Sequence, residues 1–222
     1  MGIRQLIESI LELSGSRINF EIKYTELAHS GQLLIYESSF LEITAFPLTH
    51  RIATYGYLFK EKQRPLRMRK EMIAKYQLTT EQILDAKSGS DLTINRVIVP
   101  VEELTFPPDL PRSYAYCSDT AYDERLLPFI KNVDVLYHET TFMSNLEELA
   151  KFSKHSTSVE AAVMAKNANA GWLITGHYSS RYKDLEPLLN EAQEEFSRTI
   201  LGLEGKVYNI DRRFGLQEVE KK

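Results

Sequence analysis

A single cysteine, Cys117, is all that this chain of 222 residues contains. That excludes an internal disulfide framework and a cysteine-built zinc cluster. Cys117 ends an apolar run and reads as a packed thiol. No apolar stretch approaches the ~20 residues of a membrane-spanning helix. The opening residues Met1-Gly2-Ile3-Arg4-Gln5-Leu6 lack the charged-then-apolar layout of a signal peptide and begin an amphipathic helix instead, so the cytoplasm is the expected compartment. Repeats and low-complexity tracts are also missing. Histidine is scarce: His29, His50, His138, His155 and His177 make up all five, and no two lie close together.

What remains is ordinary in bulk. Hydrophobic residues make up 43% and charged residues 26%, as in a folded globular chain long enough for a proper core. The net charge of −4 is unevenly spread. Between Lys60 and Lys75, seven cations (Lys60, Lys62, Arg64, Arg67, Arg69, Lys70 and Lys75) face only Glu61 and Glu71, a local +5 that leaves −9 on the remainder. A basic stretch on an acidic body can hold phosphates while the rest repels them, or it can simply be a solvated helix face.

Hydrophobic spacing predicts an alternation of helices and strands. Ile3, Leu6, Ile7, Ile10, Leu11 and Leu13 mark a helix ended by Ser14-Gly15-Ser16. Strands are expected at Asn19–Thr25, Gln32–Glu37, Phe40–Phe46 and Tyr55–Lys60, with a turn at His29-Ser30-Gly31. Helices follow at Leu66–Tyr76 and Thr80–Lys87, then a strand at Thr93–Val99 and a rigid connector at Phe106–Pro111. From Ser113 the pattern runs strand Ser113–Cys117, helix Glu124–Ile130, strand Val133–Tyr137, helices Leu146–Phe152 and Thr157–Asn167, strand Trp172–Thr175, helix Leu185–Phe196 and strand Lys206–Ile210. Such units build a sheet with helices packed on it, and ligands gather beyond the carboxyl ends of its strands. Asp119, His138-Glu139 and His177 fall at such ends.

Each candidate also has a plain reading. Asp119 could cap a following helix, while His177, after a glycine that allows close approach, could be an ordinary hydrogen-bonded ring. His29, in a polar turn, reads as surface. His155 says more. Thr157 and Glu160 fit a capping box, which puts His155 just outside a helix N-terminus, where an anion is favoured and a phosphate oxygen could be given a proton. A carboxylate with imidazoles at strand ends is also what a hydrolytic zinc site needs.

The strings PLTHR, YCSDT, LYHETTF, KHST and TGHYSSRY occur in that order, with 36 residues from Asp119 to His155 and 22 from His155 to His177. Together they resemble ribonuclease Z, the tRNA 3′-processing endonuclease of the metallo-β-lactamase superfamily, from Gly2 to about Asp211. The resemblance implies an α+β, αββα sandwich and an endoribonuclease that cuts precursor tRNA after the discriminator nucleotide, leaving a 3′-hydroxyl. It further implies two zinc ions and a homodimer. By position it makes His50 and His177 ligands, Asp119 a bridge between the ions, and His155 the proton donor. Glu139 and Thr141 would support them, and Arg181 would lie near the site and contact tRNA. Arg67, Arg69 and Lys70 would bind substrate from an inserted tRNA arm at residues 61–92, within one domain spanning 1–222.

The chain departs from the family pattern in three ways. The early signature H-x-H-x-D-H does not occur in it, so the chain is expected to lack the N-terminal strands and first metal motif, to bind zinc poorly and to be inactive alone. The lost strands would uncover apolar surface and favour association. Ser118 stands where the family has glycine, which is acceptable only if the local φ is negative. The arm region is basic and helical, with no glycine before Gly89. Two further readings remain: a small-molecule hydrolase of the same fold, and a relative that binds tRNA without cutting it.

Overall fold

The helical spacing at the start becomes helix α1 (Ile3–Ser14), closed by Gly15 in the left-handed conformation at φ 63°, whose N–H returns to the Glu12 carbonyl. The coordinates are a computed structural model describing residues 2–27, 31–211 and 215–219, and the chain divides into two units, 1–30 and 31–222. In the first unit α1 buries none of its residues. Arg4 pairs with Glu8 one turn on, and its guanidinium lies 5.5 Å from the Tyr24 ring centre. The strand expected over Asn19–Thr25 does not form; the segment is irregular, because an extended run needs a neighbour to pair its backbone groups. His29 and Ser30 of the expected turn lie outside the described residues.

The second unit opens with the antiparallel meander β1 (Leu33–Glu37), β2 (Leu41–Leu48) and β3 (Thr54–Glu61). An insertion follows: β4 (Arg67–Met68), α2 (Lys70–Tyr76), α3 (Thr80–Lys87), β5 (Leu92–Ile94), β6 (Val97–Val99), α4 (Val101–Leu104) and β7 (Thr105–Phe106). Alternation then resumes with β8 (Ser113–Cys117), α5 (Leu127–Ile130), β9 (Val135–Glu139), α6 (Glu147–Ser153), α7 (Ser158–Asn167), β10 (Trp172–Gly176), α8 (Glu186–Glu195) and β11 (Thr199–Leu201). The hairpin β12 (Val207–Asp211) and β13 (Gly215–Val219) closes it.

Seven strands form one sheet in the order β1-β2-β3-β8-β9-β10-β11. It is antiparallel as far as β8 and parallel beyond. β2, β8, β9 and β10 therefore run in one direction, and the residues after their last positions share one edge. The β11 strand was not foreseen, since three residues after a helix carry too little periodicity to read. One face of the sheet (Phe46, Leu48, Ala115, Cys117, Leu136 and Leu173) packs on Ile130, Ala161, Ala162, Met164, Ala165 and Ala192 of the helices. Fully burying each large aliphatic there contributes roughly 1.5–3 kcal/mol, and the alanines let the helices sit close. Cys117 is wholly enclosed, and burial pushes its thiol up to about 12, as a packed thiol requires.

The opposite face follows from strand alternation. Tyr57, Phe59, Tyr114, Tyr116, Tyr137 and Trp172 lie across it half-buried, with Tyr116 and Tyr137 stacked at 4.8 Å.

The insertion has a small core of its own, with Leu78, Ala86, Leu92, Val99 and Leu104 packed by Met68, Met72, Tyr76, Ile83 and Ile94. The single strand expected over Thr93–Val99 is in fact the hairpin β5–β6. It reverses at Asn95 and Arg96, both at positive φ (51° and 68°), the geometry of a two-residue hairpin turn. The segment that joins β3 to β8 spans residues 62–112. Its two roots are clasped by Arg112, which donates from its backbone N–H (2.9 Å) and Nε (3.0 Å) to Glu61 Oε2 and from Nη2 (2.5 Å) to Oε1. These hydrogen bonds hold the Glu61 carboxyl down at about 2.

Candidate active site

Four loops leave the shared edge and are tied to one another before any ligand is considered. After β2, the Thr49 N–H donates to Thr120 Oγ1 (3.1 Å), and the Ala121 N–H donates back to the Thr49 carbonyl (2.8 Å). Ser156 Oγ donates to the Thr120 carbonyl (2.7 Å). Asp119 does not cap the next helical turn; that role falls to Asp123, which accepts from the Arg125 N–H (3.0 Å). Asp119 is left free for the site. Ser118 is absent from the residues at positive φ, so a serine fits where a glycine was the expected choice.

Glu139, the last residue of β9, is the hub. Its side chain has no exposure. Oε1 accepts from the Thr120 N–H (2.9 Å) and His155 Nδ1 (2.7 Å). Oε2 accepts from the Thr141 N–H (3.2 Å), Thr141 Oγ1 (2.6 Å) and the Ser156 N–H (3.1 Å). A carboxylate surrounded by donors can only accept, so His155 carries its proton on Nδ1. The single Thr141 hydroxyl proton goes to the nearer, charged acceptor, so Thr141 Oγ1 must accept from His177 Nδ1, 2.9 Å away. His50 Nδ1 faces the Lys154 carbonyl at 2.8 Å and donates to it. All three imidazoles are thus fixed in one tautomer, with the Nε2 lone pair left over.

Those lone pairs meet Asp119. His177 Nε2 lies 3.4 Å from Asp119 Oδ1, and His50 Nε2 lies 4.0 Å from Oδ2. The His155 ring is 5.0 Å from that of His50 and 5.3 Å from that of His177. Exposure rises from His50 (13%) and His155 (15%) through Asp119 (36%) to His177 (45%), so the cluster is a recess open on one side. Three imidazole nitrogens and a carboxylate form a donor set that fits a divalent cation of the zinc type.

Local backbone explains how the histidines reach it. Lys154 ends α6 in the left-handed region (φ 59°) and turns the chain so that the His155 N–H returns to the Ala150 carbonyl (2.9 Å). The capping box expected at Thr157 and Glu160 is present at the start of α7. His177 itself lies at φ 56°, a conformation that non-glycine residues hold only when their surroundings impose it.

Gly176 before it allows the close approach expected, and what approaches is Tyr137: a Cβ there would lie 2.1 Å from Tyr137 Oη and 2.6 Å from Cε2. Gly176→Ala is therefore expected to displace a stacked ring and lower stability by about 1–3 kcal/mol. A double variant with Tyr137→Ala should recover part of the clash term in denaturant unfolding; equal losses in both would refute the contact.

Arg181 is exposed beside this recess. Its Nε donates to Ser179 Oγ (3.0 Å), and its guanidinium lies 5.0 Å from the Phe142 ring, which in turn meets His155 edge-on. Arg67, Arg69 and Lys70 belong to the insertion instead. Arg67 faces Asp109 at 3.9 Å, and Lys70 is exposed. Arg69 donates to the Thr105 carbonyl (3.0 Å) and stacks over Phe106 at 4.0 Å. Sequence reading missed the Lys154 carbonyl behind His50, because a backbone acceptor leaves no mark in residue type. His138, placed by the sequence at a strand end, has a fully buried ring with no hydrogen-bond partner at Nε2.

No helix among the described residues is long and apolar enough to cross a membrane. No family model matches the chain. It is 38% identical over 219 residues to a ribonuclease Z of Cytophaga hutchinsonii, covering 98% of this chain and 70% of that protein. A ribonuclease Z of Porphyromonas gingivalis is 40% identical over 200 residues, covering 90% and 66%. The chain thus spans about two thirds of the length of the curated relatives it matches. Among solved structures, human tRNase Z, short form, shares the fold at a TM-score of 0.54 and 18% identity, over 91% of this chain and 62% of that one. The large mixed sheet with helices against one face is of the metallo-β-lactamase type that the sequence led us to expect. At that identity over that share of a relative's length, the chain belongs to the ribonuclease Z family.

Proposed function

We propose that this chain supplies the Asp119, His155 and His177 part of a metal-dependent endoribonuclease site that cuts precursor tRNA at its 3′ end, after the discriminator nucleotide. One observation carries the reading: His50, Asp119, His155 and His177 come from four separate loops and turn their donor atoms toward one recess. In this reading Asp119, His50 and His177 would hold two zinc ions, Asp119 offering one oxygen to each side. When bound, such ions neutralise a phosphodiester and make water nucleophilic at neutral pH.

The protein's own groups do the rest. Glu139 accepts from His155 Nδ1, which orients the ring and leaves Nε2 as the atom that carries a proton to the leaving 3′ oxygen. Thr141 fixes the His177 ring by accepting from its Nδ1. Arg181, held over Phe142, adds a cation beside the recess for a substrate phosphate. Arg67, Arg69 and Lys70 extend the contact along the insertion. A homodimer and a cytoplasmic setting belong to the same reading.

His50, Asp119 and His177 together provide few donors for two ions, so no measurable cleavage by this chain alone is expected. The test is therefore a transplant. The matched two thirds of an active ribonuclease Z are replaced by this chain and the chimera is given 3′-extended precursor tRNA. Cleavage leaving a 3′-hydroxyl is expected, and His155→Ala should slow it by about 10²–10⁴-fold. A folded chimera that hydrolyses a chromogenic small phosphodiester but leaves the tRNA intact would overturn the proposal and favour a small-molecule hydrolase.

A further inference from the structure

We infer that Arg51 and Lys154 bind the substrate phosphate next to the scissile one, so that the RNA strand crosses the recess with a cation at either end. The inference rests on the nuclease reading and adds to it the residues that hold the strand on the His50 side.

The side chains around the recess form a row in which each lies beside the next. His50 Nδ1 meets the Lys154 carbonyl (2.8 Å), and the His50 ring is 5.0 Å from that of His155. The Phe142 ring follows at 6.2 Å from His155, and the Arg181 guanidinium at 5.0 Å from Phe142. His155 therefore stands mid-row, with Arg51 and Lys154 at one end and Arg181 at the other. A strand whose scissile phosphate sits at His155 continues both ways, and each neighbouring phosphate favours a cation.

The two cations at the His50 end keep donors to spare. Arg51 Nε donates to the Ser153 carbonyl (3.3 Å), and Lys154 Nζ to the His50 carbonyl (3.4 Å). Those bonds anchor the side chains at the last turn of α6, where cations commonly meet the final carbonyls. Among the described residues they leave both Arg51 Nη groups and most of the ammonium without a partner. Both residues are exposed.

Their charge is also not neutralised nearby. Lys62, Lys75, Arg125, Lys166 and Lys206 each pair with a carboxylate, whereas no ion pair among the described residues engages Arg51, Lys154 or Arg181. On a chain of net charge −4, three open cations around one recess mark where a polyanion approaches. A small phosphodiester reaches only the middle of the row. An RNA strand reaches both ends, and that difference gives the site a preference for RNA.

The experiment is binding of the full chain to 3′-extended precursor tRNA, read by fluorescence anisotropy over a range of salt. Two further RNAs each carry one neutral methylphosphonate, at the linkage just 5′ or just 3′ of the cut. Arg51→Met with Lys154→Met is expected to weaken binding to the native RNA about 5–10-fold, as loss of two surface charge contacts should. The slope of log K against log salt should become shallower by about 0.7, the share of one single-strand phosphate. The loss should vanish with one neutral RNA and persist with the other, and Arg181→Met should show the opposite preference. Arg51→Lys, which keeps the charge, should retain most of the binding. Both side chains are exposed, and the carbonyl that holds His50 belongs to the backbone, so the substitutions leave the recess standing. Equal losses with both neutral RNAs, no loss, or no binding by the native chain would each overturn the inference. Binding needs no cleavage: a chimera that fails to cut removes the nuclease reading, whereas a cutting chimera with these variants binding normally removes this inference alone.

Discussion

Glu139→Ala is expected to destabilise the protein by about 3–5 kcal/mol, the largest loss for any single polar side chain here. The carboxylate accepts the backbone N–H groups of Thr120, Thr141 and Ser156. All three residues are buried. Each stranded buried donor costs about 1–3 kcal/mol, and His155 loses its Nδ1 acceptor as well. At roughly 2–4 °C per kcal/mol for a domain of this size, thermal unfolding should fall by about 6–20 °C. Glu139→Gln keeps the shape but turns an amide toward donors, so it should sit between wild type and alanine. A loss below about 1 kcal/mol for the alanine variant would mean the five donors find other partners, and the preset tautomers would lose their basis.

The second large effect is a loss of stability on the acid side of neutrality, driven by His138. The ring is fully buried on the core face of β9, with Nδ1 donating to the Glu139 carbonyl at 2.8 Å and Nε2 unpartnered. Burial pulls its pKa below the ordinary 6.5, against the weaker opposing pull of Glu139 and Glu160. The unfolded chain takes up a proton here below about pH 6.5, and the folded chain does not. The associated stability is thus complete above that pH and declines as pH falls, by about 1.4 kcal/mol per unit until the folded ring titrates.

A second window opens lower down. Glu61 and Asp123 are each held at about 2, by hydrogen bonds from Arg112 and Arg125 respectively. Their contribution is present above the unfolded carboxyl values near 4 and is lost as pH drops toward 2. Because Arg112 is 41% exposed, the Glu61 share is screened to about 1–2 kcal/mol. Denaturant unfolding between pH 7 and 3 should show both slopes. His138→Asn, whose amide can replace the Nδ1 donor, should flatten the upper one alone; an unchanged slope there would remove His138 from the account.

Much of this was legible in advance, for reasons that differ by element. β8, β9 and β10 announced themselves because their core-facing residues, such as Ala115, Cys117, Leu136 and Leu173, make short apolar runs between helical segments. The capping box at Thr157 and Glu160 is a local code and came true residue for residue. Asn19–Thr25 misled because β-branched and aromatic residues mark a strand only when a partner lies alongside. β5–β6 was read as one strand because the Asn95-Arg96 reversal lacks the glycine that usually betrays such turns. In the site, residue types pointed to Asp119, His155 and His177, but the reason for their alignment lies in Glu139 and Thr141 hydrogen bonds that join loops far apart in sequence.

The clasp between Glu61 and Arg112 bears on how the chain can be rearranged. Lys60 faces Ser113 and Phe59 faces Tyr114 across the ladder, so the ends that frame the insertion are already a hairpin's width apart. β3 and β8 are topologically the two arms of a hairpin whose connecting loop has grown into a body with its own interior. Such a body can be shortened, exchanged or reshaped without unthreading the sheet, because its removal leaves ends that any two- to five-residue turn can join. That place could then be rebuilt while the recess around Asp119 stays fixed.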